Sequence, residues 1–126
     1  MARSTSRSCL IVDDSRVVRK VARRILENNG FAVTEAGDGQ QALKACREAL
    51  PDFILLDWNM PVLDGIGFLH RFHDEFGDGH PPVLFCTTEN DMAHIEAAIR
   101  GGACEYIMKP FDEEILIGKF TQVGLL

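Results

Sequence analysis

The chain alternates between two hydrophobic periodicities along almost its whole length, and this alternation restricts the fold more than any other feature. Short runs of consecutive apolar residues are typical of strands covered on both faces, whereas apolar residues recurring every three or four positions are typical of helices. The predicted strands are residues 9–12, 31–36, 53–56, 83–86 and 105–108, and a predicted helix follows each of these five. Repeated strand–helix pairs predict an α/β fold with a doubly wound, five-stranded parallel sheet and five helices.

The residues that flank the helical segments have the chemistry of helix ends. Ser15 and Asp38 are predicted N-caps, because a short side-chain oxygen can accept a hydrogen bond from a free N–H of the first turn. Asn90 or Asp91 has the same role before the fourth helix. Gly30 is predicted to end the first helix in the left-handed conformation.

Helical spacing also predicts which side chains face the sheet. These are Val17, Val18, Val21, Ala22, Ile25 and Leu26 in the first helix, Ala42, Leu43, Ala45, Cys46 and Ala49 in the second, and Ile66, Leu69 and either Phe72 or Phe76 in the third.

Length and charge exclude several classes of protein. The 126 residues suit one domain with a hydrophobic core. We expect a flexible tail at 1–7, a single domain at 8–126 and no output domain. A net charge of −6 disfavours nucleic acid as a partner, because phosphate binding needs a basic face. The sequence has no apolar stretch of the ~20 residues that span a membrane and no signal peptide, so we expect a cytoplasmic protein. We also expect a monomer.

Cysteines and histidines each allow two interpretations. The cysteines are Cys9, Cys46, Cys86 and Cys104, and no two have C-x-x-C spacing, so reduced and mostly buried thiols are expected. A redox role stays open for Cys86, which is predicted to lie beside the candidate site. His70 and His73 are three apart on one helix and would make half a zinc site, but nothing is obviously placed to complete it.

Polar and charged residues follow the ends of four predicted strands. Asp13 and Asp14 follow the first strand, Asp57 the third, Thr87 the fourth and Lys109 the fifth. Since the carboxyl ends of parallel strands share one edge, we expect these side chains to meet. Converging carboxylates repel one another unless a hard cation such as Mg²⁺ lies among them. With a lysine and a hydroxyl nearby, the site suits a phosphoryl group on an aspartate.

Each of these residues also has a simpler interpretation. Asp13 and Asp14 are plausible helix caps, Lys109 a surface charge and Tyr106 a strand aromatic. Their joint position at one sheet edge favours the site. A G-x-x-x-x-G-K loop is missing from the sequence, which argues against ATP as the phosphoryl donor.

Four segments, "LIVDDSR", "LLDWNMPVLDG", "LFCTTEN" and "EYIMKPF", resemble the signature segments of bacterial response-regulator receiver domains, most closely the single-domain, chemotaxis-type (CheY-like) group. The resemblance covers residues 8–124. It implies a flavodoxin-like sheet of order 2-1-3-4-5. It also implies a protein that is not an enzyme beyond promoting its own phosphorylation and dephosphorylation.

The resemblance assigns roles around the acidic residues. It implies that Asp57 accepts a phosphoryl group from a histidine kinase or a phosphotransfer protein. Asp14 matches a direct Mg²⁺ ligand, Asp13 the residue that holds a metal-bound water, and the backbone carbonyl of Asn59 a further ligand.

The resemblance also assigns the switch. Lys109 matches the lysine that pairs with the carboxylate and then with the phosphoryl group, and its bond to Pro110 is usually cis in the family. Thr87 matches the hydroxyl that moves onto the phosphoryl oxygen, and Tyr106 the aromatic ring that turns inward when it does. Thr88 departs from the Ala, Gly or Ser usual after the switch threonine, and its methyl is expected to narrow phosphate access.

Two side chains are predicted to set how long the phosphoryl group lasts. In the family these positions lie two residues after the phosphorylated aspartate and two after the switch threonine, here Asn59 and Glu89. Both are polar and of moderate size, so we expect them to admit the attacking water and to allow fairly rapid self-dephosphorylation.

Several function classes remain open. The resemblance implies a response regulator that binds a protein target such as the flagellar motor or a kinase in chemotaxis. The alternatives are a phosphate sink, a cell-cycle or stress phosphorelay intermediate, and a Mg²⁺-dependent phosphohydrolase. The hydrolase is disfavoured because Asn59 stands where such enzymes carry an acid–base aspartate. The basic run Arg16, Arg19, Lys20, Arg23 and Arg24 is either a solvated face or a surface that steers an acidic kinase or phosphotransfer protein.

Overall fold

The computed structural model describes residues 7–58, 60, 62–77, 81–87, 92–100, 103, 105–109, 111–122 and 124, without the side chains of 92–94 and 98. Five strands and five helices alternate along these residues in the predicted order. They are β1 (Ser8–Val12), α1 (Arg16–Asn28), β2 (Ala32–Ala36), α2 (Gly39–Glu48), β3 (Phe53–Asp57), α3 (Gly65–Phe76), β4 (Val83–Thr87), α4 (Met92–Arg100), β5 (Glu105–Met108) and α5 (Glu113–Gln122).

The strands form one parallel sheet in the order β2-β1-β3-β4-β5, which confirms the predicted order. The strand order changes direction between β1 and β3: β2 lies on one side of β1, and the later strands follow on the other side. The loops that leave β1 and β3 therefore run to opposite faces of the sheet. Such a crevice at the carboxyl ends of the strands is where α/β sheets bind ligands. Asp13 follows β1 and Asp57 ends β3, so both residues flank the crevice.

Alternate strand residues enter two separate cores. Leu10, Ile54 and Phe85 face a cluster with side chains of α2 and α3. Ile11 and Leu55 face the opposite cluster, with side chains of α1 and α5. The central strands are therefore buried on both sides, as their uninterrupted apolar runs predict.

The helix ends follow the predicted chemistry. Ser15 accepts a hydrogen bond from the N–H of Val18 at 3.2 Å, and Asp38 accepts one from the N–H of Gln41 at 2.8 Å. Gly30 has a φ of +90°, a backbone conformation that is strained in residues with a side chain. The predicted caps Asn90 and Asp91 lie outside the described residues.

Three predicted inward residues are exposed, and the prediction for α3 omitted a buried phenylalanine. Val17 and Val21 are 71% and 46% exposed, because α1 covers the sheet with a stripe centred on Ala22, Ile25 and Leu26, and the two valines lie on its flank. Ala49 is exposed because α2 ends one residue earlier and the backbone of Ala49 is extended. In α3, Leu69 and Phe72 are buried as predicted, Phe76 is partly buried, and the predicted set omitted the buried Phe68.

The described helices include none that is long and apolar enough to cross a lipid bilayer.

The loop between β3 and α3 carries local backbone strain at Val62. Its φ is +69°, the left-handed region that β-branched residues rarely adopt, and its side chain is 78% exposed. We expect Val62→Asn to raise the free energy of unfolding by about 1 kcal/mol, because Asn tolerates this conformation and little buried contact is lost. Urea denaturation measures the change.

Val17→Asn is the matched control for Val62→Asn. It makes the same substitution at an exposed valine in the right-handed backbone of α1, and should change stability by no more than about 0.5 kcal/mol. Equal changes in the two variants would show that the backbone at Val62 is not strained.

Candidate functional site

The ends of four strands deliver the predicted site residues to one edge of the sheet. Asp57 and Thr87 are the last residues of β3 and β4, one residue beyond the predicted ends of those strands. Asp57 pairs with Cys86 across the ladder, and the N–H of Lys109 donates to the carbonyl oxygen of Thr87 at 2.8 Å. The backbone therefore fixes Asp57, Thr87 and Lys109 relative to one another before any side chain takes part.

Lys109 joins two buried carboxylates. Its Nζ lies 2.7 Å from Oδ2 of Asp13 and 2.9 Å from Oδ1 of Asp57. The side chains of Asp13, Asp57 and Lys109 are 4%, 7% and 14% exposed. Charged groups this poorly hydrated are stable only when they are paired. The lysine thus binds both acids, where the sequence had predicted a pair with Asp57.

The protonation behaviour of the cluster follows from this packing. Burial raises the pKa of the Asp57 carboxyl above its ordinary value, the hydrogen bond from Lys109 opposes that rise, and the negative charge of Asp13 adds to it. Burial alone would lower the pKa of Lys109, but its hydrogen bonds to Asp13 and Asp57 outweigh burial and raise that pKa. Lys109 therefore stays charged at neutral pH, and Asp57 pays an electrostatic cost for its ionisation.

The three predicted carboxylates are close enough to hold a cation together. One oxygen from each of Asp13, Asp14 and Asp57 lies within 4.8 Å of the others, and Asp14 is exposed while the other two are buried. A set of hard oxygen donors with excess negative charge and one open side fits a hard divalent cation such as Mg²⁺. The predicted carbonyl ligand, Asn59, lies outside the described residues.

The simpler interpretation of Asp13 as a helix cap is wrong, because Ser15 is the N-cap of α1, but Asp13 does have a local structural role. Its Oδ1 accepts a hydrogen bond from the N–H of Ser15 at 2.9 Å, which shapes the turn into α1. Its backbone N–H donates to the carbonyl of Ala36 at 3.1 Å. A turn-forming hydrogen bond and charge pairing thus coexist in one side chain.

Gly65 explains the tight turn after Asp57. A Cβ at Gly65 would lie 2.5 Å from the carbonyl oxygen of Asp57, so only glycine lets α3 begin against the end of β3. Its N–H donates to the carbonyl of Trp58 at 3.0 Å. Trp58 in turn packs edge-to-face on Phe85 with ring centroids 5.0 Å apart, and so places the chain's single tryptophan beside the site.

The predicted switch residues differ in exposure. Thr87 is buried, whereas Tyr106 is partly exposed on β5. Nζ of Lys119 lies 5.0 Å from the centre of the Tyr106 ring, within cation–π range, and 3.8 Å from a carboxylate oxygen of Glu105. The ring is therefore held from the α5 side.

The thiol and imidazole groups behave as structural or surface residues. Cys9, Cys46 and Cys86 are free and buried, and burial raises the pKa of the Cys86 thiol to about 12, so it is not a thiolate at neutral pH. His70 and His73 are exposed, and among the described residues the three aspartates are the one group of at least three potential metal ligands that converge.

Sequence reasoning did not predict the contacts that Arg19 and Glu35 make beside the site. Arg19 of α1 donates to the backbone carbonyl of Asp13 and to Glu35 of β2. Arg23, four residues later on the same helix face, also pairs with Glu35. The spacing of the basic residues in the sequence does not show which of them binds a backbone carbonyl. Of the predicted basic run, Arg16, Lys20 and Arg24 remain exposed.

Several predicted features lie outside the described residues. These are Asn59, Thr88, Glu89, Cys104, Pro110 and the tail at 1–6, and their roles stay predictions.

Comparison with known proteins gives three kinds of match. The family model "Response regulator receiver domain" matches residues 9–121. The chemotaxis protein CheY of Pseudomonas aeruginosa is 36% identical over 115 residues, which cover 90% of this chain and 93% of that protein. The transcriptional regulatory protein CseB of Streptomyces avermitilis is also 36% identical, over 90% of this chain, but the chain spans only 47% of its length.

A solved structure agrees with the fold as a whole. The chemotaxis response regulator CheY4 of Vibrio cholerae superposes with a TM-score of 0.88 at 32% sequence identity. The match covers 94% of this chain and 99% of that one.

Proposed function

The chain belongs to the response regulator receiver domain family, and on that premise we propose that it is a CheY-like phosphoacceptor switch in the cytoplasm. Its Asp57 takes a phosphoryl group from a histidine kinase or a phosphotransfer protein, and its changed surface then binds a protein target in chemotaxis or motility. The observation that carries this proposal is the buried pair of carboxylates, Asp13 and Asp57, joined by Lys109 at the carboxyl edge of the sheet.

The proposed reaction is a phosphoryl transfer to Asp57. A carboxylate oxygen attacks phosphorus, the phosphorus–nitrogen bond of the donor phosphohistidine breaks, and its electron pair leaves with the imidazole. Lys109 already lies 2.9 Å from Oδ1 of Asp57, so its charge is in place for the added phosphoryl oxygens. The protein promotes only its own phosphorylation and dephosphorylation and is otherwise not an enzyme.

A cation would be held by the carboxylates of Asp13, Asp14 and Asp57, with the Asn59 carbonyl as a predicted further ligand. Mg²⁺ would neutralise charge on the phosphoryl oxygens when bound. The remaining work belongs to the chain: Lys109 pairs with the acids, Thr87 offers a hydroxyl, and β3 and Gly65 hold Asp57 in place.

Labelling with acetyl phosphate tests this function directly, because that small donor needs no kinase. With Mg²⁺, the protein should gain one base-labile acyl phosphate per chain. A chain that stays unlabelled at saturating donor would contradict the proposal.

Mg²⁺ should stabilise the protein without any donor, because it relieves repulsion among the three carboxylates. At tenfold its dissociation constant the gain is about 1.4 kcal/mol, which is roughly 5 °C in melting temperature for a domain of this size. Asp14→Ala should lose most of the shift, whereas Asp52→Ala, just before the far end of β3, should keep it. A melting temperature that ignores millimolar Mg²⁺ would show that the acids are not a metal site.

The lifetime of the phosphoprotein is predicted to be short, since Asn59 and Glu89 are expected to leave the attacking water a path. Asn59→Met and Glu89→Arg should slow decay by roughly tenfold each, at ~1.4 kcal/mol per factor of ten. The measurement is loss of label from purified phosphoprotein in Mg²⁺. Decay over hours in the wild type, or unchanged decay in the variants, would show that these side chains do not govern access.

The exposed part of α1 supports docking of the phosphoryl donor near Asp57. Arg16, Lys20 and Arg24 are exposed, and Val17 and Val21 form an apolar strip beside them. An apolar strip with a basic rim suits a helical partner whose surface is apolar and acidic. We place the kinase or phosphotransfer contact there.

Two relatives support different outputs. CheY of Pseudomonas aeruginosa matches over 93% of its length, which favours a chemotaxis output. CseB of Streptomyces avermitilis is a transcriptional regulatory protein, which favours transcriptional control as the second candidate. A phosphate sink has no target of its own. Affinity capture with and without beryllofluoride, a phosphoryl mimic, separates the three: a motor protein, a transcription component, or no mimic-dependent partner.

A further inference from the structure

Arg19 connects the acidic loop to two other elements of the fold. Its Nη1 donates to the backbone carbonyl oxygen of Asp13 at 2.6 Å, and its Nε donates to Oε1 of Glu35 at 2.9 Å. Its side chain is 18% exposed, so both bonds are partly shielded from water. One guanidinium thus joins the loop after β1, the second turn of α1 and strand β2.

The contact with Arg19 completes the fixation of Asp13. The backbone N–H of Asp13 is bound to Ala36, Oδ1 to Ser15 and Oδ2 to Lys109. Arg19 holds the remaining polar atom, the carbonyl oxygen. This carbonyl belongs to the peptide unit between Asp13 and Asp14. The hydrogen bond from Arg19 therefore also fixes the backbone that carries the Asp14 side chain.

The contacts of Arg19 oppose the charge repulsion among the three carboxylates. One carboxylate oxygen from each of Asp13, Asp14 and Asp57 lies within 4.8 Å of the others. Lys109 offsets part of their repulsion, and the remainder tends to drive the loop after β1 away from strand β3. The charge of Arg19 is itself paired with Glu35, so the arginine acts through geometry more than as a free counter-charge.

We infer that Arg19 is a positioning residue, which holds the Asp13–Asp14 loop in the arrangement that binds a divalent cation. The inference rests on the proposed function, which supplies the divalent cation as the ligand of the carboxylates. Partners that orient ligand-bearing groups typically change metal affinity 10- to 100-fold when they are lost.

Arg23 offers a matched control on the same helix. It also pairs with Glu35, at 2.7 Å, but its other partners are Glu27 and the carbonyl of Val33, away from Asp13. Arg19→Met and Arg23→Met therefore each remove one bond to Glu35, and only the first releases the acidic loop.

The first experiment is a Mg²⁺ titration of labelling by acetyl phosphate, with the melting temperature followed in parallel. Arg19→Met should raise the half-saturating Mg²⁺ concentration about tenfold by both readouts. The labelling rate at saturating Mg²⁺ should stay within threefold of wild type. Arg23→Met should stay within twofold throughout, and Arg19→Lys should recover part of the affinity. Equal half-saturation in the two methionine variants would overturn the inference.

The second experiment needs no metal and separates the inference from the proposed function. The N–H of Ser15 donates to Oδ1 of Asp13, so its hydrogen exchange reports whether the loop is held. Exchange at Ser15 should be at least tenfold faster in Arg19→Met and unchanged in Arg23→Met. Unchanged exchange in both would overturn the inference even if Mg²⁺ binds. A wild type indifferent to Mg²⁺ would overturn the proposed function, while this exchange result still decides whether Arg19 holds the loop.

Discussion

Asp57→Asn is expected to reduce labelling by acetyl phosphate to background, a fall of at least roughly 1,000-fold in rate. An amide oxygen is a poor nucleophile, and the acyl phosphate requires a carboxylate oxygen at this position. Asp57 ends β3, its side chain is 7% exposed, and it is held by Lys109. The measurement is the initial rate of acyl phosphate formation in Mg²⁺ at fixed donor concentration.

The loss of label must be separated from misfolding. Since the pKa of Asp57 is raised by burial, ionising this carboxyl costs stability, and its removal should leave the fold at least as stable at pH 7. Asp52→Asn is the matched control, because it makes the same change at the residue just before the opposite end of the same strand. Labelling that persists in Asp57→Asn would assign the acceptor to another residue.

The sheet was predictable from the sequence because its strands carry their own signature. The uninterrupted apolar runs around Ile11, Leu55 and Leu84 indicate burial on both faces, and the structure confirms it. The buried faces of the helices were less predictable, because an apolar stripe in the sequence does not show how much of the helix surface packs against the sheet. Val17 and Val21 belong to the apolar stripe of α1 and are nevertheless exposed at its flank.

The site could be predicted to the level of which residues meet, because strand ends bring them to one edge. The sequence did not predict that Lys109 would bind Asp13 as well as Asp57, since that depends on side-chain geometry over a separation of 96 residues. Nor did it identify Arg19, because a basic helix face has no pattern that distinguishes a solvated arginine from one bound to a backbone carbonyl. Roles that depend on residues 59, 88 and 89 stay predictions from the family resemblance.

Lys109→Met should lower the free energy of unfolding by about 3 kcal/mol at pH 7.5, the second large effect that the site predicts. Removing the lysine takes the positive charge away from both buried acids, and the loss of one partner from a buried charge pair costs about 3–5 kcal/mol. Asp13 and Asp57 would remain buried and mutually repelling. Urea denaturation at several pH values measures the deficit, and Lys119→Met is the control, because Lys119 makes a looser pair with Glu105 at 3.8 Å.

The deficit of Lys109→Met should depend on pH in a defined direction. The folded-state pKa of Asp57 is already raised, and losing Lys109 should raise it further, because the lysine opposes that rise. A raised carboxyl pKa means that the folded state binds the proton more tightly, so stability falls as pH rises from the ordinary aspartate value through the folded pKa. The deficit should therefore be full at pH 7.5 and shrink as the pH falls through the folded-state pKa of Asp57, where that carboxyl takes up a proton. Saturating Mg²⁺ at pH 7.5 should also restore part of it, because the cation replaces the missing positive charge. A deficit that is the same at pH 4.5 and pH 7.5, or no larger than that of Lys119→Met, would show that Lys109 does not offset the buried carboxylates.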